Sequence, residues 1–91
     1  MVLQIAYDLH QHGRDYDAVY AVIKAAGSNT HPQGSVWLVD TLTSPQLLRD
    51  GLHKAGDEND EYFVAPITRN WASFNMNKES VEWLNSSSRR W

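Results

Sequence analysis

The first residues of the chain follow the alternating pattern of a β-strand. The apolar positions are Leu3, Ile5 and Tyr7 on one face and Val2 and Ala6 on the other. A strand that is apolar on both faces belongs inside a sheet and not at its edge. We therefore predict a central first strand over residues 3–9, with Asp8 at the point where the buried strand meets a polar loop.

Two later stretches repeat apolar residues at three- and four-residue steps, as amphipathic helices do. The first covers residues 15–26, where Asp15 can cap the free backbone amides and Gly27 follows the last apolar position. The second starts at Ser44, which precedes a proline in the first helical position, and runs to about Lys54. Each helix has one apolar stripe, so each is expected to pack on a sheet.

Three further strands complete the predicted sheet. Residues 35–41 are β-rich and apolar on both faces, which indicates a second central strand. Residues 28–34 carry many turn-forming residues, so we expect only a short edge strand near residues 30–31. A fourth strand covers residues 62–67, and Pro66 favours the edge of the sheet or the end of the strand.

The pattern is weaker towards the C-terminus. Residues 68–76 fit either a loop or a fifth strand. Asn77 can cap a short last helix that turns Val81 and Leu84 inward, and residues 86–91 are expected to fray.

The order β-α-β-β-α-β predicts an α+β protein, a ferredoxin-like sandwich in which two helices cover one face of a four-stranded antiparallel sheet. Residues 1–70 would form this core and residues 71–91 a C-terminal extension, a short helix or strand. The uncovered face is expected to expose apolar side chains such as Tyr7 or Trp37. Such a face needs something to cover it.

Size and composition narrow the class of protein. A chain of 91 residues makes one small domain that benefits from a partner, so we expect a homodimer. It has no cysteine, no apolar run long enough for a bilayer and no visible secretory signal, which predicts a cytoplasmic protein without a membrane partner. A net charge of −3 argues against a broadly basic nucleic-acid binder, although a local basic face remains compatible with it.

Asp8 is the first candidate for chemistry, and two readings of it stay open. A strand-end aspartate commonly caps a loop by accepting from nearby amides. Alternatively, two copies pair sheet to sheet about a two-fold axis, and their Asp8 carboxylates share a proton or a hard cation such as Mg²⁺. Such a cation can activate water for attack on a phosphodiester.

Two other groups of residues are candidates for metal binding. Asp8, His10 and His12 share a spacing that suits a transition metal if the segment stays extended, or a histidine there can act as a general base. The acidic run at residues 57–61 lacks the spacing and internal glycine of a calcium loop, and we expect it to be a solvated loop.

The segment Ala6-Tyr7-Asp8-Leu9 resembles the first-strand motif of the small CRISPR-associated nuclease-like proteins that partner the spacer integrase, and of the SinR-like proteins related to them. The resemblance to the SinR-like branch extends over about residues 2–70. The matching features are the helix at residues 15–26 with Tyr20, the strand Trp37-Leu38-Val39, and Asn59-Asp60-Glu61 before the last core strand.

This resemblance implies a ferredoxin-like homodimer with the strand-end aspartate of each protomer at the dimer cleft. In reported nucleases of the family that aspartate serves Mg²⁺-dependent cutting of RNA or DNA, and the role falls here on Asp8. Several members act only as scaffolds that hold DNA. The basic residues that usually follow the motif are replaced by residues 10–12, and only Arg14 remains.

Two functions follow as hypotheses. The first is a dimeric, Mg²⁺-dependent endonuclease in which Asp8 of both protomers holds the metal, Tyr7 and His10 assist catalysis, and Arg14 contacts the nucleic acid. The second is a non-catalytic dimeric scaffold that binds protein or nucleic acid. Activity that depends on Asp8 separates the two.

Overall fold

A four-stranded antiparallel sheet and three helices make up the computed structural model, which describes residues 1–10 and 16–91. The elements are β1 Val2–Asp8, α1 Asp17–Ala26, β2 Ser28–Gln33, β3 Val36–Asp40, α2 Pro45–Ala55, β4 Glu61–Ile67 and α3 Lys78–Asn85. The strand order is β2-β3-β1-β4, so β1 and β3 are the central pair, as predicted. This order is compatible with the ferredoxin-like sandwich expected from the sequence.

The helix ends follow from local chemistry. Leu47 N–H donates to Ser44 Oγ at 3.1 Å at the start of α2, and Ser80 N–H donates to Asn77 Oδ1 at 2.7 Å at the start of α3. Both predicted caps are therefore confirmed. The predicted cap of α1, Asp15, lies outside the described residues.

The main core lies between one face of the sheet and the helices α1 and α2. Its buried members are Leu3, Ile5, Tyr7, Val19, Ile23, Trp37, Val39, Leu48 and Leu52. Tyr7 and Trp37 are only 9% and 7% exposed, so the expectation that they lie on the uncovered face is wrong. The alternation along β1 and β3 points them towards the helices, because they share a face with Leu3, Ile5 and Val39.

A second, smaller core lies on the opposite face of the sheet. Val2, Leu38 and Leu84 form its buried centre, and four residues from the C-terminal part of the chain pack around it with Ile67. These four are Trp71, Met76, Trp83 and Trp91. The loop between β4 and α3 contains no strand, which decides between the two predictions for residues 68–76. The C-terminal extension therefore covers part of the face that was expected to be open.

The segment after α3 is fastened to the sheet, so the prediction that residues 86–91 fray is wrong. Arg90 N–H donates to Asp40 Oδ2 at 2.9 Å, and the guanidinium of Arg89 lies 3.8 Å from the same oxygen. The Arg89 guanidinium also stacks on Trp83, 4.2 Å from the ring centroid, and donates to Ser28 Oγ at 3.0 Å. Local patterning could not reveal this anchor, because its acceptor lies about fifty residues earlier in the chain.

β2 is longer than predicted. It covers six residues, and its pairing with β3 is interrupted by a register shift between Thr30 and Gln33. Within it, Thr30 and Ser80 share a buried hydrogen bond of 2.7 Å that ties α3 to the edge of the sheet. This tertiary contact, together with the bulge, offsets the poor strand propensity of the segment.

No helix in residues 1–10 and 16–91 is both long and apolar enough to cross a membrane.

Candidate functional site

Two carboxylates face each other where β1 and β4 meet at one end of the sheet. Asp8, the last residue of β1, is paired with Glu61, the first residue of β4. Directly paired residues of an antiparallel ladder point to the same face, so both side chains lie on the face that carries α3 further along. They are 71% and 73% exposed, and this end of the face is open to solvent.

His10 completes a three-residue cluster. Its Nε2 lies 3.0 Å from Glu61 Oε2 and 3.8 Å from Asp8 Oδ2. One ligand atom from each of the three side chains lies within 4.8 Å of the others. Two carboxylate oxygens and an imidazole nitrogen form a mixed donor set that suits divalent cations such as Mn²⁺, and Mg²⁺ through the carboxylates alone.

A buried carboxylate holds the backbone of this corner in place. Asp60 is 9% exposed, and its Oδ1 accepts from His10 N–H at 2.9 Å and from the Tyr16 hydroxyl at 2.9 Å. Its Oδ2 accepts from Asp57 N–H at 2.9 Å. Asp60 therefore joins the end of β1, the start of α1 and the turn before β4, which positions His10 beside the carboxylates.

Neighbouring groups change the pKa of His10. Its hydrogen bond to Glu61 raises the pKa of His10 above the usual value of 6.5; partial desolvation opposes this, and the negative charge of Asp8 adds to it. The imidazole is exposed, so water screens these interactions. The protonated form of His10 is thus favoured while the carboxylates lack another cation.

An open cleft of about 450 Å³ adjoins the cluster. Asp8 and Glu61 lie at its polar end, and Ala6 and Phe63 supply apolar surface. Phe63 is 65% exposed on the same face. The site therefore combines charged ligand groups with a solvent-accessible aromatic ring.

The structure brings together only part of the predicted site. Asp8 and His10 are adjacent, whereas His12 and Arg14 lie outside the described residues. Tyr7 borders the cleft, but its hydroxyl donates to the Gly34 carbonyl at 3.0 Å and accepts from Trp37 Nε1 at 3.2 Å. Burial raises the pKa of Tyr7, and its hydroxyl does not join the Asp8 cluster.

Glu61 and Asp60 belong to the candidate site but were not among the residues predicted for it from the sequence. Both fall in the acidic run that was expected to be a solvated loop, and that expectation is wrong for them, since Glu61 begins β4 and Asp60 is buried. The predicted topology contained information that could have identified Glu61. An antiparallel edge strand beside β1 places its first residue next to Asp8, the last residue of β1.

No protein-family model, no curated protein and no solved structure matches this chain. The assignment of function therefore rests on the chemistry of the site.

Proposed function

We propose that the protein is a dimeric, ferredoxin-like endonuclease of the SinR-like kind that hydrolyses phosphodiesters in RNA or DNA with a divalent cation, Mg²⁺ or Mn²⁺. The observation that supports the proposal is the convergence of Asp8, His10 and Glu61 at an open end of the sheet. Each residue is supplied by a strand or by the segment directly after one. Such a rigid frame keeps ligand groups within the narrow geometry that metal chemistry needs.

The carboxylates and the imidazole of the cluster have different proposed roles. Asp8 and Glu61 would hold the cation with carboxylate oxygens, and the bound cation would supply Lewis-acid chemistry for the phosphodiester and for an attacking water. His10 is either a third ligand or the group that moves a proton. In its neutral form it accepts a proton from the attacking water, and in its protonated form it donates one to the leaving oxygen.

The free part of the sheet face determines how two copies can pair. α3 and the residues after it cover the end near Val2 and Leu38, so sheet-to-sheet pairing is limited to the end that carries Ala6, Asp8 and Phe63. A two-fold axis there brings the two Asp8 carboxylates towards each other. Cations between the protomers would relieve the repulsion between four exposed carboxylates.

Cleavage assays test the enzymatic part of this proposal. Labelled single- and double-stranded RNA and DNA are incubated with wild type, Asp8→Asn and Glu61→Gln, each with Mg²⁺, Mn²⁺ or EDTA. We expect metal-dependent cutting by wild type and a loss of at least about tenfold in each variant, since each removes a charged ligand.

Asp50→Asn is the matched control, because Asp50 is an exposed carboxylate on α2 that pairs only locally with Arg49 among the contacts described. Cutting that survives in Asp8→Asn at the wild-type rate would rule out the proposed site. Absence of cutting on every substrate would favour the second candidate function.

That second candidate is a non-catalytic dimeric scaffold that binds protein or nucleic acid. The exposed ring of Phe63 on edge strand β4 favours it, because a large aromatic side chain on an open sheet face is typical of an interaction surface. A scaffold of this kind would bind partners equally well in the presence of EDTA and after Asp8→Asn.

A further inference from the structure

A second cavity, of about 280 Å³, lies at the other end of the molecule from Asp8. It is open to solvent and is bordered by the segment after β4, the end of α3 and the residues that follow α3. Its polar and aromatic walls come chiefly from Arg69, Trp71, Asn85, Ser87, Arg89 and Trp91. None of the residues considered for the proposed endonuclease contributes to it.

Positive charge collects around this cavity although the chain as a whole carries −3. Arg69 and Arg89 line it, and its described lining contains no acidic residue. Arg90 lies close by, because its guanidinium is 3.6 Å from the Asp40 carboxylate that also faces Arg89. One buried carboxylate thus balances only part of the charge of three arginines, which favours an anionic ligand.

A buried donor in the wall has no acceptor. The Arg89 side chain is only 8% exposed, and its Nε–H makes no hydrogen bond within the described part of the chain. Buried polar atoms are nearly always paired, and an unpaired donor on a cationic group is costly. This donor is itself shielded from solvent, so Arg89 contributes to the cavity through its charge and not through this N–H.

The remaining walls add hydroxyl, amide and aromatic groups. Ser86, Ser87 and Asn85 supply hydrogen-bonding side chains, and Trp71 and Trp91 supply indole surface. The C-terminal end of α3 is weakly unfavourable to an anion, but the charges of two arginines outweigh a partial helix charge. Phosphate with an attached aromatic base matches both kinds of group, since arginine recognises phosphate and indole rings stack on bases.

We propose that this cavity binds a phosphorylated nucleotide, with the phosphate at the exposed Arg69, beside the positive charge of Arg89, and the base against Trp71 and Trp91. A volume of about 280 Å³ lies just below the range of typical small-molecule sites, which is roughly 300–1,000 Å³, so we expect the cavity itself to take one nucleotide. The same chemistry occurs in a free mononucleotide and at the 5′-phosphorylated end of a strand.

Calorimetric titrations of the full chain test the proposal, all in EDTA so that the Asp8 cluster holds no cation. The ligands are AMP, adenosine, inorganic phosphate, and a trinucleotide with or without a 5′ phosphate. We expect AMP to bind more tightly than either adenosine or phosphate. A 5′-phosphorylated trinucleotide that binds more tightly than AMP assigns the site to a strand end, and weaker binding assigns it to the free nucleotide.

Arg69→Gln should weaken AMP binding by about tenfold, because it removes a charge-assisted hydrogen bond at an exposed position that the fold does not need. Arg49→Gln, which removes an exposed arginine on α2, should leave binding unchanged. In ¹H–¹⁵N spectra, the indole N–H signals of Trp71 and Trp91 should shift on binding while that of Trp37, buried on the other face, stays in place.

Three results would overturn the proposal. They are failure of AMP to bind, equal binding of AMP by Arg69→Gln and wild type, and binding of phosphate alone as tight as that of AMP. Asp8→Asn should bind AMP normally, so the outcome is independent of whether the protein cuts nucleic acid.

Discussion

At the scale of single residues, the corner around Asp8 depends on a division between buried and exposed carboxylates. Asp60 is buried and fully committed to neighbouring donors, so it fixes the backbone of His10. Asp8 and Glu61 are exposed and remain available to a ligand. Asp60 and Glu61 are adjacent in sequence but differ in role, because Asp60 lies in the turn before β4 and is buried among donors, whereas Glu61 begins the strand with its side chain exposed.

The proton affinity of His10 follows from this arrangement. We expect an NMR titration to give His10 a pKa above 6.5 in wild type, and Glu61→Gln to lower it towards that value, because the hydrogen bond to Glu61 is the largest cause of the shift. Glu58→Gln, which changes an exposed acid in the preceding turn, should have no such effect. An unchanged His10 pKa in Glu61→Gln would contradict the described contact.

The raised pKa of His10 also determines how this residue makes stability depend on pH. The folded protein holds the His10 proton more tightly than the unfolded chain, so protonation stabilises the fold below pH 6.5, and this contribution is lost as the pH rises through the raised pKa. Binding of a cation to the same imidazole competes with the proton. Metal affinity should therefore fall as the pH is lowered through that pKa.

At the scale of helices and strands, the sequence predicts those features that depend on residues close together in the chain. The alternation in β1 and the caps at Ser44 and Asn77 act within a few residues, and these predictions are confirmed. The packing of α3 against β2 and the anchoring of Arg90 to Asp40 join residues about fifty positions apart. Such contacts leave no periodic signal, so residues 86–91 could be judged only by their local polarity.

The candidate site was also predictable only where its residues lie close together in the sequence. Asp8 stood out because it ends an apolar strand, and His10 follows at short range. Glu61 joins them only through the register of β4 on β1, which requires knowing that these two strands are neighbours. The buried role of Asp60 depends on Tyr16, from a third element.

The anchor at Asp40 gives a prediction for stability. Asp40→Ala should lower the free energy of unfolding by about 3–5 kcal/mol, because it leaves the buried guanidinium of Arg89 without its counter-charge. Urea denaturation followed by circular dichroism measures the change. Glu82→Ala removes an exposed ion pair with Lys78 and should cost no more than about 0.5 kcal/mol. Equal effects of the two substitutions would show that the anchor contributes little.

At the scale of the whole molecule, the two faces of the sheet are covered by different parts of the chain and to different extents. One face is closed by α1 and α2, and the other is divided between the packed C-terminal segment and an open end that carries Phe63 and the Asp8 cluster. The two candidate sites thus lie at opposite ends of the same sheet. The open end is the surface that we propose for pairing with a second copy.

The proposed dimer is tested by light scattering and sedimentation. We expect wild type to have twice the mass of one chain and Phe63→Glu to be monomeric, because the substitution removes the apolar ring from the apposed surfaces and adds two further negative charges to the four carboxylates there. Phe74→Glu alters an equally large but 90% exposed ring in the loop before α3 and should remain dimeric. A monomeric wild type, or a dimeric Phe63→Glu, would exclude this interface.

The late position of α3 in the chain matters during synthesis on the ribosome. All four strands have been synthesised once Ile67 is added, but the segment that covers Val2 and Leu38 has still to be made. At about 5–20 residues per second, that interval lasts on the order of one to a few seconds. We expect the uncovered apolar face to make the nascent chain prone to aggregation during that interval.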